Sequence, residues 1–150
     1  MVALSPPPVN HQWGTLSFVS TLYLCPILDQ LLARVPHRWR PEVRLGLQEA
    51  LVNAVKHGNQ LDQHKVISVR YTVAQGRHWW VIADQGSGFE PPCGCDDPPS
   101  EAVSAADVGD CGRGLYILHQ VFDEVRWASG GRELHLCKQV KKWFQFPRIR

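Results

Sequence analysis

The sequence of 150 residues lacks the segments that carry proteins into or across membranes. No run approaches the ~18 consecutive apolar residues that a transmembrane helix requires. Residues 1–10 have neither the basic start nor the apolar stretch of a secretory signal. The five cysteines are an odd number, and together with the missing signal they favour free thiols in a reducing compartment. We therefore expect a cytoplasmic protein that does not contact a membrane.

A large excess of charge of one sign is also missing. Lysine and arginine together number 16 against 14 acidic residues, which gives a net charge of +2. Proteins that bind nucleic acids usually carry a concentrated basic face. The balance of charge therefore does not favour direct binding of nucleic acid.

Three common motifs of binding or catalysis do not occur. The sequence has no Gly-x-x-x-x-Gly-Lys-Ser/Thr phosphate loop. It has no Gly-x-Ser-x-Gly nucleophile elbow either, so Ser87 is not expected to be a hydrolase nucleophile. Cys93, Cys95 and Cys111 lack the paired Cys-x₂₋₄-Cys spacing that is typical of zinc sites, so free thiols are favoured over a bound metal.

What the chain does have is a globular composition and a mixed series of elements. Apolar residues make up 44% of it and charged residues 20%, close to the averages for soluble domains. Periodicity and turn residues predict the order strand, helix, helix, strand, strand, long loop, helix, strand, strand. Because strands and helices do not alternate, we predict an α+β fold: a two-layer α/β sandwich with helices on one face of a mostly antiparallel, mixed sheet.

The composition also predicts how the chain is divided. Residues 1–12 are rich in proline and are expected to form a flexible N-terminal arm. The domain is expected over residues 13–140, followed by a basic and aromatic C-terminal tail over residues 141–150. Residues 90–111 contain four prolines and no periodicity, and a loop of this length inside a compact domain is more often functional than idle.

The clearest helix is predicted over Pro41–Gly58, with proline at its first position and glycine at its stop. One stripe of this helix is apolar, as core packing requires. The opposite stripe carries an acid, an amide and an amine. The apolar stripe is Val43, Leu47, Ala50, Leu51 and Ala54, and the polar stripe is Glu42, Glu49, Asn53 and Lys56.

The polar stripe can be interpreted either as a set of functional side chains or as an ordinary solvent-exposed helix face. Asn53 offers a neutral oxygen of the kind that helps to hold Mg²⁺ beside substrate phosphates. Glu49 is placed to act as a general base, and Lys56 to neutralise a phosphate. Glu49 and Lys56 alone fit a solvated helix face. Asn53 is harder to dismiss, because asparagine is a mediocre helix former.

A second group of candidates follows the strand HWWVIAD. Asp84 at its end offers a carboxylate that can accept a hydrogen bond from an exocyclic amine such as that of adenine, whereas the carbonyl of guanine would be repelled. Gly86 and Gly88 remove Cβ atoms and so allow a flat ring to approach the backbone. Taken alone, Asp-x-Gly-x-Gly is more simply a turn.

The third group opens the helix LYILHQVF. Gly112 and Gly114 at a helix start leave backbone N–H groups and the positive end of the dipole free for a phosphate. Arg113 between them points either at phosphates or at solvent. A single Gly-x-Gly is weak evidence, and a plain loop-to-helix junction explains it equally well.

Taken together, the three groups carry a specific resemblance. The segments EALVNAVKHGN, DQGSGF and GRGLYIL fall in order on a helix, a strand end and a helix start. They resemble the asparagine box and the two glycine boxes of the GHKL ATPases, the superfamily of gyrase, histidine kinases and MutL. Within it, EALVNAVKHG and GRGLYILHQVFDEVRW look most like the small bacterial anti-sigma factor serine/threonine kinases. The resemblance covers roughly residues 13–140 and implies the Bergerat fold.

The resemblance assigns a role to each candidate residue. It implies ATP and Mg²⁺ as cofactors, Asn53 as the magnesium ligand and Glu49 as the catalytic base. It also implies that Asp84 reads adenine and that residues 90–111 form the ATP lid. The remaining residues implied to contact the nucleotide are Lys56, His57, Gly86, Gly88, Gly112, Arg113 and Gly114.

The resemblance also implies a regulatory function. An enzyme of this type phosphorylates an anti-sigma factor antagonist, a STAS-like protein, and so frees itself to hold a sigma factor, usually as a homodimer. Related kinases often carry a basic residue shortly before the second glycine box, where this chain has Val108-Gly109-Asp110-Cys111. That departure motivates an alternative, a nucleotide-sensing adaptor that binds ATP or ADP and a partner without phosphorylating anything. A third hypothesis is an ATPase fragment that hydrolyses ATP to change conformation.

Overall fold

The structure, a computed structural model, describes residues 6–88 and 110–140. The predicted lid over residues 90–111 lies outside the described residues except for its last two positions, and the predicted tail over residues 141–150 lies wholly outside them. In the part of the chain that is described, no helix is both long enough and apolar enough to cross a membrane.

The described strands form a single antiparallel sheet. They are β1 Gly14–Val19, β2 Val66–Ala74, β3 Arg77–Ala83, β4 Glu124–Ala128 and β5 Glu133–Gln139. Their order across the sheet is β1-β2-β3-β5-β4, and each neighbouring pair is antiparallel. The predicted hairpin between β2 and β3 is confirmed, and it turns at Gln75 and Gly76 with positive φ at both residues, as tight hairpin turns require.

Three α-helices pack against one face of this sheet: α1 Cys25–Leu32, α2 Arg40–Asn53 and α3 Asp110–Val121. The predicted apolar stripe of α2 is confirmed, since all five of its residues are buried. They meet alternate residues of the central strands, including Val69, Ile82 and Leu136. The two-layer α+β architecture is therefore confirmed. We predicted a mostly antiparallel, mixed sheet, and all neighbouring pairs among the described strands are antiparallel.

The predicted helix over Pro41–Gly58 does not end as a simple α-helix. After Asn53 the chain widens into a π-helical turn, Ala54–Gly58. The wide turn closes with a hydrogen bond from the backbone N of Asn59 to the carbonyl of Ala54, five residues earlier. Positive φ falls on Gln60 and Leu61 rather than on Gly58. The helical residues nevertheless end at Gly58, as predicted. Single π-helical turns are frequent at functional sites.

Close packing fixes α3 against α2. A Cβ built on Gly46 would lie 2.6 Å from Phe122 Cε2 and 2.8 Å from Val121 Cγ1, so only glycine fits at this position. At the end of α3, the buried Lys138 Nζ donates to the Val121 carbonyl at 2.7 Å and to Glu42 Oε1 at 3.2 Å. Lys138 therefore ties β5, the end of α3 and the first turn of α2 together.

The helix-free face of the sheet is partly covered by the N-terminal segment. The alternation of β2 predicts that Thr72 points outward, yet Thr72 is buried. Its hydroxyl donates to the Gln12 carbonyl at 2.9 Å, and Trp13 Nε1 donates to the Pro8 carbonyl at 3.2 Å. The guanidinium carbon of Arg70 also lies over the Trp13 ring, 5.6 Å from the ring centre. The division between a flexible arm over residues 1–12 and a domain from residue 13 stays a prediction.

Candidate functional site

One cavity is lined by Asn53 of the first candidate group, by Asp84 and Gly88 of the second, and by Leu115, which directly follows the third group in the chain. It lies between the end of α2 with its π-helical turn, the end of β3, the start of α3 and the β4–β5 connection, and it holds about 670 Å³ of space counted out to its mouth. Its lining residues are Ala50, Asn53, Ala54, His57, Gly58, Ile82, Asp84, Gly88, Leu115, Trp127, Gly131, Arg132 and Leu134.

At one end of the cavity, Asp84 leaves β3 in a turn that packs directly on the helix end. Its Oδ1 accepts a hydrogen bond from the Gly86 backbone N at 2.8 Å. A Cβ on Gly58 would overlap the Asp84 carboxylate, and a Cβ on Gly86 would overlap the Gly58 carbonyl oxygen. Gly88, with φ +97°, packs as closely against the Gly130 carbonyl. These glycines are required because backbone meets backbone on both sides of the turn.

Asp84 is half-buried, and different parts of its surroundings shift its pKa in opposite directions. Removal from water raises the pKa of Asp84 above its ordinary value, and this is the largest effect. The Gly86 hydrogen bond and the nearby charges of Arg132 and Lys65 oppose the rise in pKa. Asp84 Oδ1 is engaged by the turn itself, so Oδ2 is the oxygen that remains for a ligand.

At the other end, α3 comes into contact with the polar stripe of α2. A Cβ built on Gly114 would lie 3.2 Å from Asn53 Nδ2 and 3.3 Å from Glu49 Oε2. Glu49 and Asn53 are only partly buried. Neither side chain makes a hydrogen bond or ion pair with a residue in the described ranges 6–88 and 110–140. The helix α3 at Gly114 therefore faces an acid and an amide that are left available for a ligand.

This arrangement can be compared with known families. Residues 24–138 match the family described as histidine kinase-like ATPase domain. The chain belongs to this family. The resemblance drawn from the three sequence motifs is thereby confirmed, and the match includes both ends of the cavity.

Curated relatives of this ATPase domain carry a more specific name. The chain is 32% identical over 89 residues to the serine-protein kinase RsbW of Bacillus subtilis (strain 168), covering 57% of this chain and 54% of the relative. The serine-protein kinase RsbW of Bacillus velezensis is 32% identical over 92 residues, covering 59% of this chain and 56% of the relative. The chain thus matches a little over half the length of these relatives.

Some of the predicted site residues do not line the cavity. Lys56 and Arg113 have exposed side chains and are not among the residues that line it. Gly112 and Gly114 lie within α3, which begins at Asp110, so the prediction that they open the helix is wrong. Two glycines cost a helix about 1 kcal/mol each, which the packing of α3 against α2 offsets. The surroundings of Gly112 lie outside the described residues.

Three residues of the site were not predicted from the sequence. Trp127 and Arg132 flank the turn between β4 and β5, and both line the cavity. Arg132 reaches Asp84 because β5 pairs with β3, so that the Asp84 backbone N donates to the Arg132 carbonyl at 2.9 Å. Asn59 is wholly buried directly after the π-helical turn. A buried asparagine in a loop carries no sequence signal beyond its type, since burial depends on the tertiary packing.

The donor groups of the site fit a magnesium ion that is held mainly by its substrate. Asn53 supplies an amide oxygen and Glu49, one turn before it, a carboxylate. Within the described ranges, no group of three His, Cys, Asp or Glu side chains is arranged to hold a metal ion. Mg²⁺ usually keeps several waters and takes one or two protein oxygens together with substrate phosphates. The amide oxygen of Asn53 meets that requirement, and the Glu49 carboxylate lies one turn before it.

Proposed function

We propose that this chain is an ATP-dependent serine/threonine protein kinase that phosphorylates an anti-sigma factor antagonist, a STAS-like protein, and regulates transcription by partner switching. One observation carries the proposal. Asn53 and Asp84 line one cavity, and Gly114 of α3 packs against the side chains of Asn53 and of Glu49, one turn before it. A base-reading group and a phosphate-binding group are thus held on one rigid frame, as a kinase for a nucleoside triphosphate requires.

The base end selects the nucleotide. Asp84 Oδ2 accepts a hydrogen bond from the exocyclic amine of adenine, and the apolar walls formed by Ile82, Leu115 and Leu134 take up the ring. A charged acceptor makes such a bond stronger than a neutral pair. Guanine presents a carbonyl at the same ring position and is disfavoured by repulsion.

The phosphate end holds the triphosphate and the metal. Asn53 is the proposed protein ligand of Mg²⁺, which when bound offsets the charge that develops on the phosphates. His57 lines the cavity beside Asn53. The backbone N–H groups at the start of α3 and the positive end of its dipole favour the same negative charge. Lys56, Gly112 and Arg113 complete the proposed set once the nucleotide is bound.

Glu49 is the proposed catalytic residue. It lies one turn before Asn53 and beside the start of α3, where the terminal phosphate is expected. From there it can accept the proton of an incoming serine or threonine hydroxyl as that oxygen attacks the γ-phosphorus, while ADP leaves. The carboxylate requires no partner of its own, because the substrate hydroxyl is its partner.

The proposed partners follow from the relatives and the resemblance. The relatives carry the name serine-protein kinase, which supports serine as the phosphate acceptor. We propose a STAS-like antagonist as the substrate, a sigma factor as the second partner, a homodimer as the assembly and the cytoplasm as the location. Phosphorylation of the antagonist releases the kinase to hold the sigma factor.

The test is transfer of labelled phosphate from the γ-position of ATP to a cognate STAS-like protein. Transfer is expected to depend on Mg²⁺ and to be absent when the acceptor serine of that protein is replaced by alanine. Association of the two proteins in the presence of ATP without any transfer would contradict the kinase and support the nucleotide-sensing adaptor. Release of free phosphate without an acceptor protein would instead support the ATPase alternative.

A further inference from the structure

Asn59 makes an unusual number of contacts for one loop residue. Its side chain is wholly buried. Its Nδ2 donates to Ser20 Oγ at 2.8 Å and to the Val66 carbonyl at 3.1 Å, and its Oδ1 accepts from the Gln85 backbone N at 2.7 Å. Each polar group of the side chain is therefore satisfied by a different segment of the chain, as a buried amide requires.

These bonds close a ring that includes the turn after Asp84. The Val66 backbone N donates to Gln85 Oε1 at 2.8 Å, so Asn59, Val66 and Gln85 each bond the other two. Gln85 is the residue directly after Asp84. The ring thus joins the end of the π-helical turn, the first residue of β2 and the base-reading turn.

The backbone of Asn59 is bonded to the end of the helix that carries Glu49 and Asn53. Its backbone N donates to the Ala54 carbonyl at 2.8 Å, which closes the π-helical turn directly after Asn53. One residue earlier, Gly58 is in contact with Asp84 and Gly86. Asn59 is therefore the hydrogen-bonded link between the helix that carries Glu49 and the turn that carries Asp84.

We propose that Asn59 is a positioning residue that holds Asp84 at the place where it reads the base, relative to Asn53 and Glu49. This inference rests on the proposed function, because it assumes that Asp84 discriminates between bases. Without the Asn59 amide, the Gln85 N–H loses its partner and the turn is free to move away from the helix. Discrimination between bases then falls, because it depends on the position of the Asp84 carboxylate.

The test compares Asn59→Ala with Ser20→Ala. Ser20→Ala removes a buried hydrogen bond from the same asparagine but on the side away from the turn, so it is the matched control for a general loss of stability. The readout is the ratio of the dissociation constant for inosine triphosphate to that for ATP, measured by calorimetry at a temperature where circular dichroism shows both variants folded. Inosine carries a carbonyl where adenine carries the amine.

We expect the ratio to fall about 3- to 10-fold in Asn59→Ala, which is the effect of a weakened hydrogen bond, and to stay near the wild-type value in Ser20→Ala. Equal ratios in the two variants would overturn the inference and leave Asn59 with a structural role only. A wild-type protein that binds ATP no better than inosine triphosphate would show instead that the proposed base reading by Asp84 fails, and the inference would fall with it.

A second variant covers the case in which Asn59→Ala does not fold. Gln85→Ala removes the other bond of the ring, that to the Val66 backbone N, and the Gln85 side chain is exposed, so the core is left intact. The ratio is expected to fall in the same direction by a smaller factor. An unchanged ratio in Gln85→Ala would then overturn the inference.

Discussion

The two ends of the cavity are built in different ways. The base end is held by backbone and buried amide groups: Asp84 accepts from its own turn, and Asn59 and Gly58 fix that turn on the helix. The phosphate end consists of Glu49 and Asn53 facing the start of α3, and within the described residues these two side chains have no hydrogen-bond partners.

Under the proposed function, the difference indicates which end of the cavity recognises the base and which end binds the phosphates. A base is a rigid, uncharged ring, and a preformed acceptor reads it at little cost in ordering. A triphosphate with its metal brings its own charges and ligands, so the protein side chains that meet it are left open to receive them. Substitutions at the base end should therefore change which nucleotide binds, and substitutions at the phosphate end should change what happens to it.

The largest effect is expected at the phosphate end, for Glu49→Gln. Replacing the carboxylate by an amide of the same size removes the proton acceptor and should lower the rate of phosphate transfer by about 10²- to 10⁴-fold. Affinity for ATP should change little, because Glu49 is not required to hold the nucleotide. Rates come from labelled transfer under single-turnover conditions, with Gln48→Ala on the same helix as the control. Unchanged transfer in Glu49→Gln would remove Glu49 from the mechanism.

A smaller effect is expected at the base end, for Asp84→Asn. The amide keeps the shape of the side chain but loses the charge, and the affinity for ATP should fall about 10- to 100-fold. Affinity for GTP should not fall with it, because the repulsion of the guanine carbonyl is removed. Calorimetric titration of both nucleotides with and without Mg²⁺ measures the effect. A parallel loss of both affinities would mean that Asp84 supports the fold rather than reading the base.

The contact between α2 and α3 can be tested by Gly46→Ala, through protein stability and through the Mg²⁺ dependence of ATP binding. Gly46→Ala places a methyl group against Phe122 and Val121, and overpacking of this kind should lower the free energy of unfolding by about 1 to 3 kcal/mol. Because α3 is displaced from α2, the Mg²⁺ dependence of ATP binding should weaken as well. Chemical denaturation checks the stability, with Leu45→Ala, the exposed neighbour, as the control. An unchanged stability would show that α3 moves freely against α2.

The smallest effect expected is a dependence of ATP affinity on pH. Burial raises the pKa of Asp84, and only the carboxylate accepts the adenine amine, so affinity should decline as the pH falls and the group takes up a proton. Arg132 and Lys65 oppose the rise in pKa, so Arg132→Met should move the decline to higher pH.

The control for this pH profile is the same titration in Asp84→Asn. That variant lacks the titrating carboxyl group, and any decline in affinity that it retains is subtracted from the wild-type profile. A wild-type profile that is identical to that of Asp84→Asn would show that the charge of Asp84 does not control binding.

Much of this site could be predicted because its groups lie in short, patterned segments. The apolar stripe of α2 is set by spacing alone, and the same spacing places Glu49 and Asn53 one turn apart on the other side. Asp84 follows a strand rich in aromatic and β-branched residues, which sets its place at the sheet end. The helix end at Gly58 was predicted, but the reason for glycine there was not: a Cβ would overlap the Asp84 carboxylate, while the positive φ falls on Gln60 and Leu61.

The sequence by itself determined the fold class, the three motifs and the family, because these depend on local periodicity and on residue types at fixed spacing. Only the tertiary structure decided that Trp127 and Arg132 join the cavity, through the pairing of β5 with β3. It alone decided that Asn59 is buried at the junction of the turn after Asp84 and the end of the helix that carries Glu49 and Asn53. Contacts between residues distant in the chain depend on how the elements pack, and no local pattern encodes them.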